Sequence, residues 1–444
     1  MSMAETLLPK PYHAAVERFR DLYLPDYGFL VDKWETHFPR EPRFKLCAYR
    51  ECGMCGVVEC GERQGEAKWT SATAIPEEQA RHLFAMIRAQ ASTEFGSIQQ
   101  HQLTLSRAAD EEEQVWILRM MAEELRHGYQ MLHLLVDDDW SAATGAGSRE
   151  LVEEILDMRT GSHVLGAFNI DFDSFVDNVV FCALIDRVGK YQLAMQKVSS
   201  YSPMAESMPQ MLREEAFHLA AGVVPLRRWV ERAAQGGIAI SMEMIQKVLN
   251  KWVPRGLEMF GDERGGGTNV RWGFKPMKND EAQSQYYEEL RKLVRDLNLR
   301  FLRARLPELT PGEADATLAR LEAGRGSERG VAFEELLQLP HIAFFRRRGV
   351  PAFQMVGVDG QAFVSRDEFV AHLRRVLPES YLAGRDFQEF LSLLDQVSSG
   401  SLPREKAAAH MPALRRVGGV CPCSRAVRWV VDEPQPTTAA ATAL

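Results

Sequence analysis

No stretch of the 444-residue chain approaches the roughly 18 consecutive apolar residues that a membrane-spanning helix needs. The chain also opens without the basic-then-apolar pattern of an export signal, so a soluble, cytoplasmic protein with no membrane contact is the expectation. Positive charge is in deficit as well: 53 Lys and Arg stand against 61 Asp and Glu, a formal net charge of −8. That balance argues against nucleic acid as a partner, since such a partner calls for a basic face. Cysteines are few and odd in number, seven in all, which excludes a complete disulfide framework. No solenoid-like repeat is visible.

What cysteine there is gathers near the start, as Cys47, Cys52, Cys55 and Cys60. Cys52-Gly-Met-Cys55-Gly has the two-residue gap and following glycine of a zinc knuckle, which makes the four candidate ligands of a structural zinc. An iron–sulfur site begins with similar gaps, and plain reduced thiols are the simplest reading. Cys421 and Cys423 stand far along the chain as further donors.

The acidic residues carry more information. Glu124-Leu-Arg-His127 recurs as Glu215-Ala-Phe-His218. Residues three apart share a helix face, so each copy aims a carboxylate and an imidazole at one point. Glu94 lies 30 residues before Glu124, and Asp186 lies 29 before Glu215. A helix that descends about 20 Å, turns and climbs back at about 1.5 Å per residue returns to the same level over such a span. Turn signals fall near both midpoints, at Ser106-Arg-Ala-Ala-Asp110 and at Ser199-Ser-Tyr-Ser-Pro203. Two helices giving one carboxylate each and two giving Glu-x-x-His form the ligand set of ferritin-like di-iron bundles. A ferritin-like iron store, a catalase-like metalloprotein and a metal-free scaffold are the competing readings of such helices.

The expected fold is mainly α: a ferritin-like four-helix bundle with a small N-terminal β segment and an α+β C-terminal extension. The chain divides into a Cys-rich N-terminal segment at 1–75, the helical bundle at 76–305, the extension at 306–433 and a disordered Pro/Thr/Ala-rich tail at 434–444. Helical period begins after Pro76 and predicts a helix to about Arg107, with Gln90 one turn before Glu94 as a group behind the metal ligands. Asp110 should cap a second helix to about Val136. A short helix at Arg149 to Arg159 and a third core helix near Asp173 to Val198 follow. Pro209 predicts a fourth helix that is short on its N-terminal side, capped by Ser207. Further helices are expected at Ser241 to Phe260 and Asn279 to Leu302. In the extension, Phe353 to Val358 and Gln361 to Ser365 flank Asp359-Gly360 as a hairpin, and Ser365 should cap the helix after it.

These residues resemble the phenylacetyl-CoA/benzoyl-CoA epoxidase family of di-iron oxygenases. The resemblance rests on Glu94, Glu124, His127, Asp186, Glu215 and His218, with Leu165-Gly-Ala-Phe-Asn169, Asp186-Arg-Val-Gly-Lys-Tyr-Gln-Leu193 and Asn269-Val-Arg-Trp-Gly-Phe-Lys275 around them. It covers about Arg81 to Arg300. It implies two iron ions, one held by Glu94, Glu124 and His127 and the other by Asp186, Glu215 and His218, with Glu124 and Glu215 bridging. It further implies O₂ as co-substrate, a separate NAD(P)H-dependent reductase, epoxidation of the ring of an aromatic acyl-CoA such as benzoyl-CoA, and a homodimer as one assembly. A biosynthetic di-iron oxygenase that hydroxylates or N-oxygenates a carrier-tethered substrate is the alternative. Arg271 and Lys275, flanking Trp272 and Phe274, are the candidate contacts to the CoA phosphates.

Overall fold

The computed structural model describes residues 33–40, 48–51, 53–261, 267–347 and 353–410. Among these, six long helices carry the architecture. They are α1 Glu77–Gln102, α2 Glu111–Val136, α3 Phe175–Gln196, α4 Ser202–Ala234, α5 Met242–Met259 and α6 Asn279–Arg305. The α1–α2 and α3–α4 hairpins pack into a four-helix bundle, with α5 laid on α3 and α6 on α4. This is the ferritin-like arrangement expected from the spacing.

Local chemistry sets the helix starts. Asp110 accepts from the Glu112 N–H and precedes a first turn of Glu111, Glu112 and Glu113, where negative charge suits the helix N-terminus. Ser174 and Asp177 form a capping box on α3, and Asp177 also takes Lys251 Nζ and Trp252 Nε1 from α5, 2.9 and 2.8 Å away. That buried ion pair pins the start of α3 to its neighbour. Between the hairpins the chain forms a short helix, Ser148–Asp157, and a loop tied by Asn169, whose side chain accepts from the Gly161 and His163 N–H groups.

One expectation fails. Helix α4 is not short at its start: it runs unbroken from Ser202 through both Pro209 and Pro225, and Ser207 lies inside it, donating to the Pro203 carbonyl at 2.7 Å. A proline inside a helix costs about 3 kcal/mol. Burying one large apolar side chain returns about 1.5–3 kcal/mol, and α4 buries Met204, Met208, Met211, Leu226, Trp229 and Val230. Packing therefore overrides the local preference.

The β content is small. Among the described residues the N-terminal segment contributes bridges rather than strands, Val57 with Ala67 and Trp69 with Tyr201. In the extension a two-residue hairpin joins β1 Ser327–Glu328 to β2 Val331–Ala332, and the arms around Asp359-Gly360 meet at one bridge, Val356 with Ala362. Ser365 accepts from the Glu368 N–H and caps the helix Arg366–Val376 as expected. The tail at 434–444 lies outside the described residues, as does all of the chain before Lys33.

The α3–α4 contact is close because Gly222 has no side chain. A Cβ there would lie 2.2 Å from the Ala183 nitrogen and 2.7 Å from the Cys182 carbonyl carbon, both backbone atoms that cannot rotate away. Gly222→Ala is expected to force the two helices apart at a cost of about 1–3 kcal/mol or more, the usual range for overpacking. Denaturant melts would read this as a lowered midpoint; an unchanged midpoint would mean that the helices are not held this close.

Candidate metal centre

Glu94 on α1, Glu124 and His127 on α2, Asp186 on α3, and Glu215 and His218 on α4 are all buried. His127 Nδ1 lies 3.6 Å from Glu94 Oε2 and 3.7 Å from Glu124 Oε2, and His218 Nδ1 lies 3.6 Å from both Glu124 Oε1 and Glu215 Oε2. The two imidazoles face each other with ring centres 5.3 Å apart. Donor atoms of Glu124, His127 and His218 fall within 4.8 Å of one another, so a single ion could touch all three.

The atoms turned inward are the ones without partners. His127 Nδ1, His218 Nδ1, Glu124 Oε2, Asp186 Oδ2 and Glu215 Oε2 are buried and accept or donate no hydrogen bond. At about 1–3 kcal/mol for each unsatisfied buried group, five of them would offset most of a typical folding free energy of about 5–15 kcal/mol. Carboxylate oxygens and imidazole nitrogens are donors suited to iron, and this set therefore fits a pair of such ions.

Sequence reasoning missed the layer behind these ligands. His127 Nε2 sits 2.9 Å from Glu214 Oε2, and His218 Nε2 sits 3.2 Å from Glu123 Oε2. Each ligand histidine is thus held by the carboxylate that directly precedes the ligand glutamate of the other motif. An outer carboxylate that accepts a hydrogen bond from Nε2–H leaves the Nδ1 lone pair for a metal. Arg126 lies between the two outer carboxylates, 3.6 Å from Glu123 and 2.5 Å from Glu214, and Arg119 reaches Glu123 at 3.1 Å. The signal was present as a Glu-Glu doublet in both motifs, Glu123-Glu124 and Glu214-Glu215. Gln90, expected behind Glu94, donates its amide to Glu94 Oε1. Ser97 approaches Glu124 at 3.5 Å, and the Cys182 thiol bonds Asp186 from one turn away.

Crowding of charge moves the proton affinities. Burial, then the neighbouring Glu215 charge, pushes Asp186 up to about 8. Burial and Glu94 likewise drive Glu124 well above the carboxylate range, whereas Glu94 is drawn down against its own burial by the adjacent Glu124 carboxyl and His127 imidazole. Burial opposes charge on both histidines, but their carboxylate partners outweigh it and raise them well above the usual value. The cage therefore gathers positive charge wherever it can find it.

One wall of the centre opens into a cavity of about 140 Å³. Glu94, Glu124, Asp186 and Glu215 form one end, and Met86, Leu165, Phe168, Ile185 and Met259 supply apolar sides. Cavities of roughly 150 Å³ with apolar walls admit benzene, so this space suits one aromatic ring. Lys275 lines the cavity and donates to Gln192 Oε1 at 2.6 Å and Asn279 Oδ1 at 3.3 Å. Arg271 does not share this place. Gly273, at φ 74°, turns the chain between them, and Arg271 stays exposed over Trp272 with Glu62 3.8 Å away. Of the cysteines, Cys47 and Cys52 lie outside the described residues; Cys55 is exposed, and the Cys60 thiol donates to the Lys275 carbonyl at 3.4 Å.

Burial would raise Glu214, but the His127 hydrogen bond and charge, with Arg126 and Gln210, hold it down at about 2. A carboxyl whose folded value is depressed contributes stability that is present above its unfolded value of 4.5 and is lost as pH falls toward 2. In the metal-free protein, Glu214→Gln should therefore lose less unfolding free energy than the parent between about pH 5 and pH 3, by of the order of 1 kcal/mol. Denaturant melts at the two pH values measure this, and parallel losses would contradict it.

Comparison with known proteins fits this geometry. The chain is 26% identical over 353 residues to the benzoyl-CoA oxygenase component B of Aromatoleum evansii, an alignment that covers 72% of each chain. Among the described residues no helix is long and apolar enough to cross a membrane. Residues 66–310, which span all four bundle helices with α5 and α6, match the Phenylacetic acid catabolic protein family, and the chain belongs to it.

Proposed function

We propose that this chain is the oxygenase component of an O₂-dependent di-iron monooxygenase that epoxidises the ring of an aromatic acyl-CoA, with electrons delivered by a separate reductase. The observation that carries the reading is the set of five unpartnered ligand atoms turned toward one centre beside a ring-sized cavity. The relative named as benzoyl-CoA oxygenase component B supports the substrate class and the presence of a partner component.

In this reading Glu94, Glu124 and His127 would hold one iron and Asp186, Glu215 and His218 the other. Bound iron would supply activation of O₂, one atom going to the substrate and the other leaving as water. The chain's own residues do the rest. Glu123 and Glu214 fix the imidazoles by accepting hydrogen bonds from their Nε2–H groups, and Arg119 and Arg126 offset the charge of those outer carboxylates. Met86, Leu165, Phe168 and Met259 keep the ring in an apolar environment and limit water beside the oxidant. Exposed Arg271, with Trp272 beneath it, is the candidate contact for the phosphates of the carrier.

Anaerobically prepared protein should carry close to two irons per chain. His127→Ala and His218→Ala should lose much of that metal with helix content kept, and Glu123→Gln or Glu214→Gln should weaken iron binding about 10–100-fold. Iron content that is indifferent to all four substitutions would remove the basis of the proposal. Zinc found beyond the iron, and lost in Cys52→Ser, would assign the cysteine cluster a structural metal.

Reduced enzyme with an electron donor should convert benzoyl-CoA or a close aryl-CoA to a ring epoxide and leave free benzoate untouched, because remote contacts to the carrier position the ring. Arg271→Ala should raise KM for the thioester several-fold with no change in iron. Product analysis by mass spectrometry decides the matter. Oxygenation of a free or tethered amine, with aryl-CoA inert, would transfer the protein to biosynthetic chemistry.

A further inference from the structure

The cavity has two chemically different ends, and the polar end is unexplained by metal binding. Along α3 the residues that line it are Asp186, Gly189, Gln192 and Gln196, a single helical stripe. From Asp186 to Gln192 the rise is about 9 Å at about 1.5 Å per residue. Gln192 takes the Lys275 ammonium at 2.6 Å, so that cation sits about two turns from the carboxylate cage. Lys275 is only 6% exposed. A further observation marks the same end as a place for a ligand: Gln196, 4% exposed and lining the cavity, has a buried Oε1 without a partner.

We propose that Lys275 donates a hydrogen bond to the carbonyl oxygen of the substrate's acyl group and so fixes how far the ring reaches toward Asp186 and Glu215. The inference rests on the aryl-thioester reading above. A hydrogen bond of about 3 Å leaves about 6 Å of the span for the carbonyl and ring, which matches one aroyl group and little more. A phosphate of the carrier is a poorer occupant. Lys275 is buried and lines a space of about 140 Å³ that a ring alone nearly fills, whereas Arg271 and Lys278 of the same loop are exposed. Two amide oxygens, Gln192 Oε1 and Asn279 Oδ1, hold the ammonium in place. A carbonyl oxygen is an acceptor of the same kind.

The test compares ligands as well as variants, under anaerobic conditions so that no turnover occurs. Probes are benzoyl-CoA, S-benzyl-CoA, in which a methylene replaces the carbonyl, and free CoA. Wild-type protein should bind benzoyl-CoA about tenfold or more tighter than S-benzyl-CoA, as expected for a hydrogen bond to a charged donor. Lys275→Met should abolish that preference while leaving affinity for free CoA within about twofold and iron content unchanged; Lys275→Arg, which keeps a cationic donor, should restore part of it. Equal affinities of the two aryl ligands for the wild-type protein would overturn the inference even if Lys275→Met fails to fold. A parallel loss of affinity for free CoA in Lys275→Met would overturn it in favour of a carrier-phosphate contact, with the substrate class intact. Wild-type protein that binds none of the three probes would remove the thioester reading and this inference together.

Discussion

Four carboxylates cannot be buried side by side unless positive charge faces them. Coulomb energy between unit charges about 4 Å apart rises several-fold on going from water to a protein-like environment, and Glu94, Glu124, Asp186 and Glu215 all sit in the interior. Protons relieve the strain in the metal-free chain, which is why Asp186 and Glu124 hold theirs so tightly. Cations relieve it better, because they also satisfy the inward-turned imidazole nitrogens. Arg119 and Arg126 meet the same demand one layer out. The helices around this charge cluster are accordingly buried on nearly every side, most of all α3, whose residues from Phe175 to Asp186 are without exception buried.

The demand divides the bundle by function. Helices α1 and α3 contribute a single carboxylate each to the cage, and between them lies the cavity. Helices α2 and α4 contribute the histidines, and behind those runs the carboxylate–arginine network. The carboxylate–arginine network thus lies behind the histidine-bearing helices, away from the cavity. The Gly222 contact holds the two pairs in register by bringing α4 against the backbone of α3.

Much of this was legible in the sequence because helical spacing is a rigid ruler. Motif spacing and turn signals located α1 to α3, α5 and α6 within a few residues, since caps such as Asp110 and Ser174 act locally. Helix α4 resisted because Pro209 speaks locally for a break, whereas the apolar face that overrules it depends on neighbours distant in the chain. The six ligand candidates could be picked out because i, i+3 pairs must share a face. Glu123 and Glu214 stand beside them in Glu-Glu doublets, but the partner of each could not be read, because a residue one step off that face points at a helix that only the tertiary fold brings near. Arg271 and Lys275 look equivalent in the sequence, and a single turn at Gly273 sends one to solvent and the other to the cavity.

The crossed pairing of histidines and outer carboxylates has a bearing on how such a protein can arise and come apart. His127 leans on Glu214, and His218 leans on Glu123, so neither helical hairpin contains a complete support for its own imidazole. An ancestral single hairpin would have needed a second copy of itself across a twofold axis to supply the missing carboxylate. Fusion of the two copies into one chain would then have freed each half to diverge, leaving Arg126 in one motif where the other carries Phe217. By the same logic the two histidines are not independent: a shift of α2 against α4 that loosens one loosens the other.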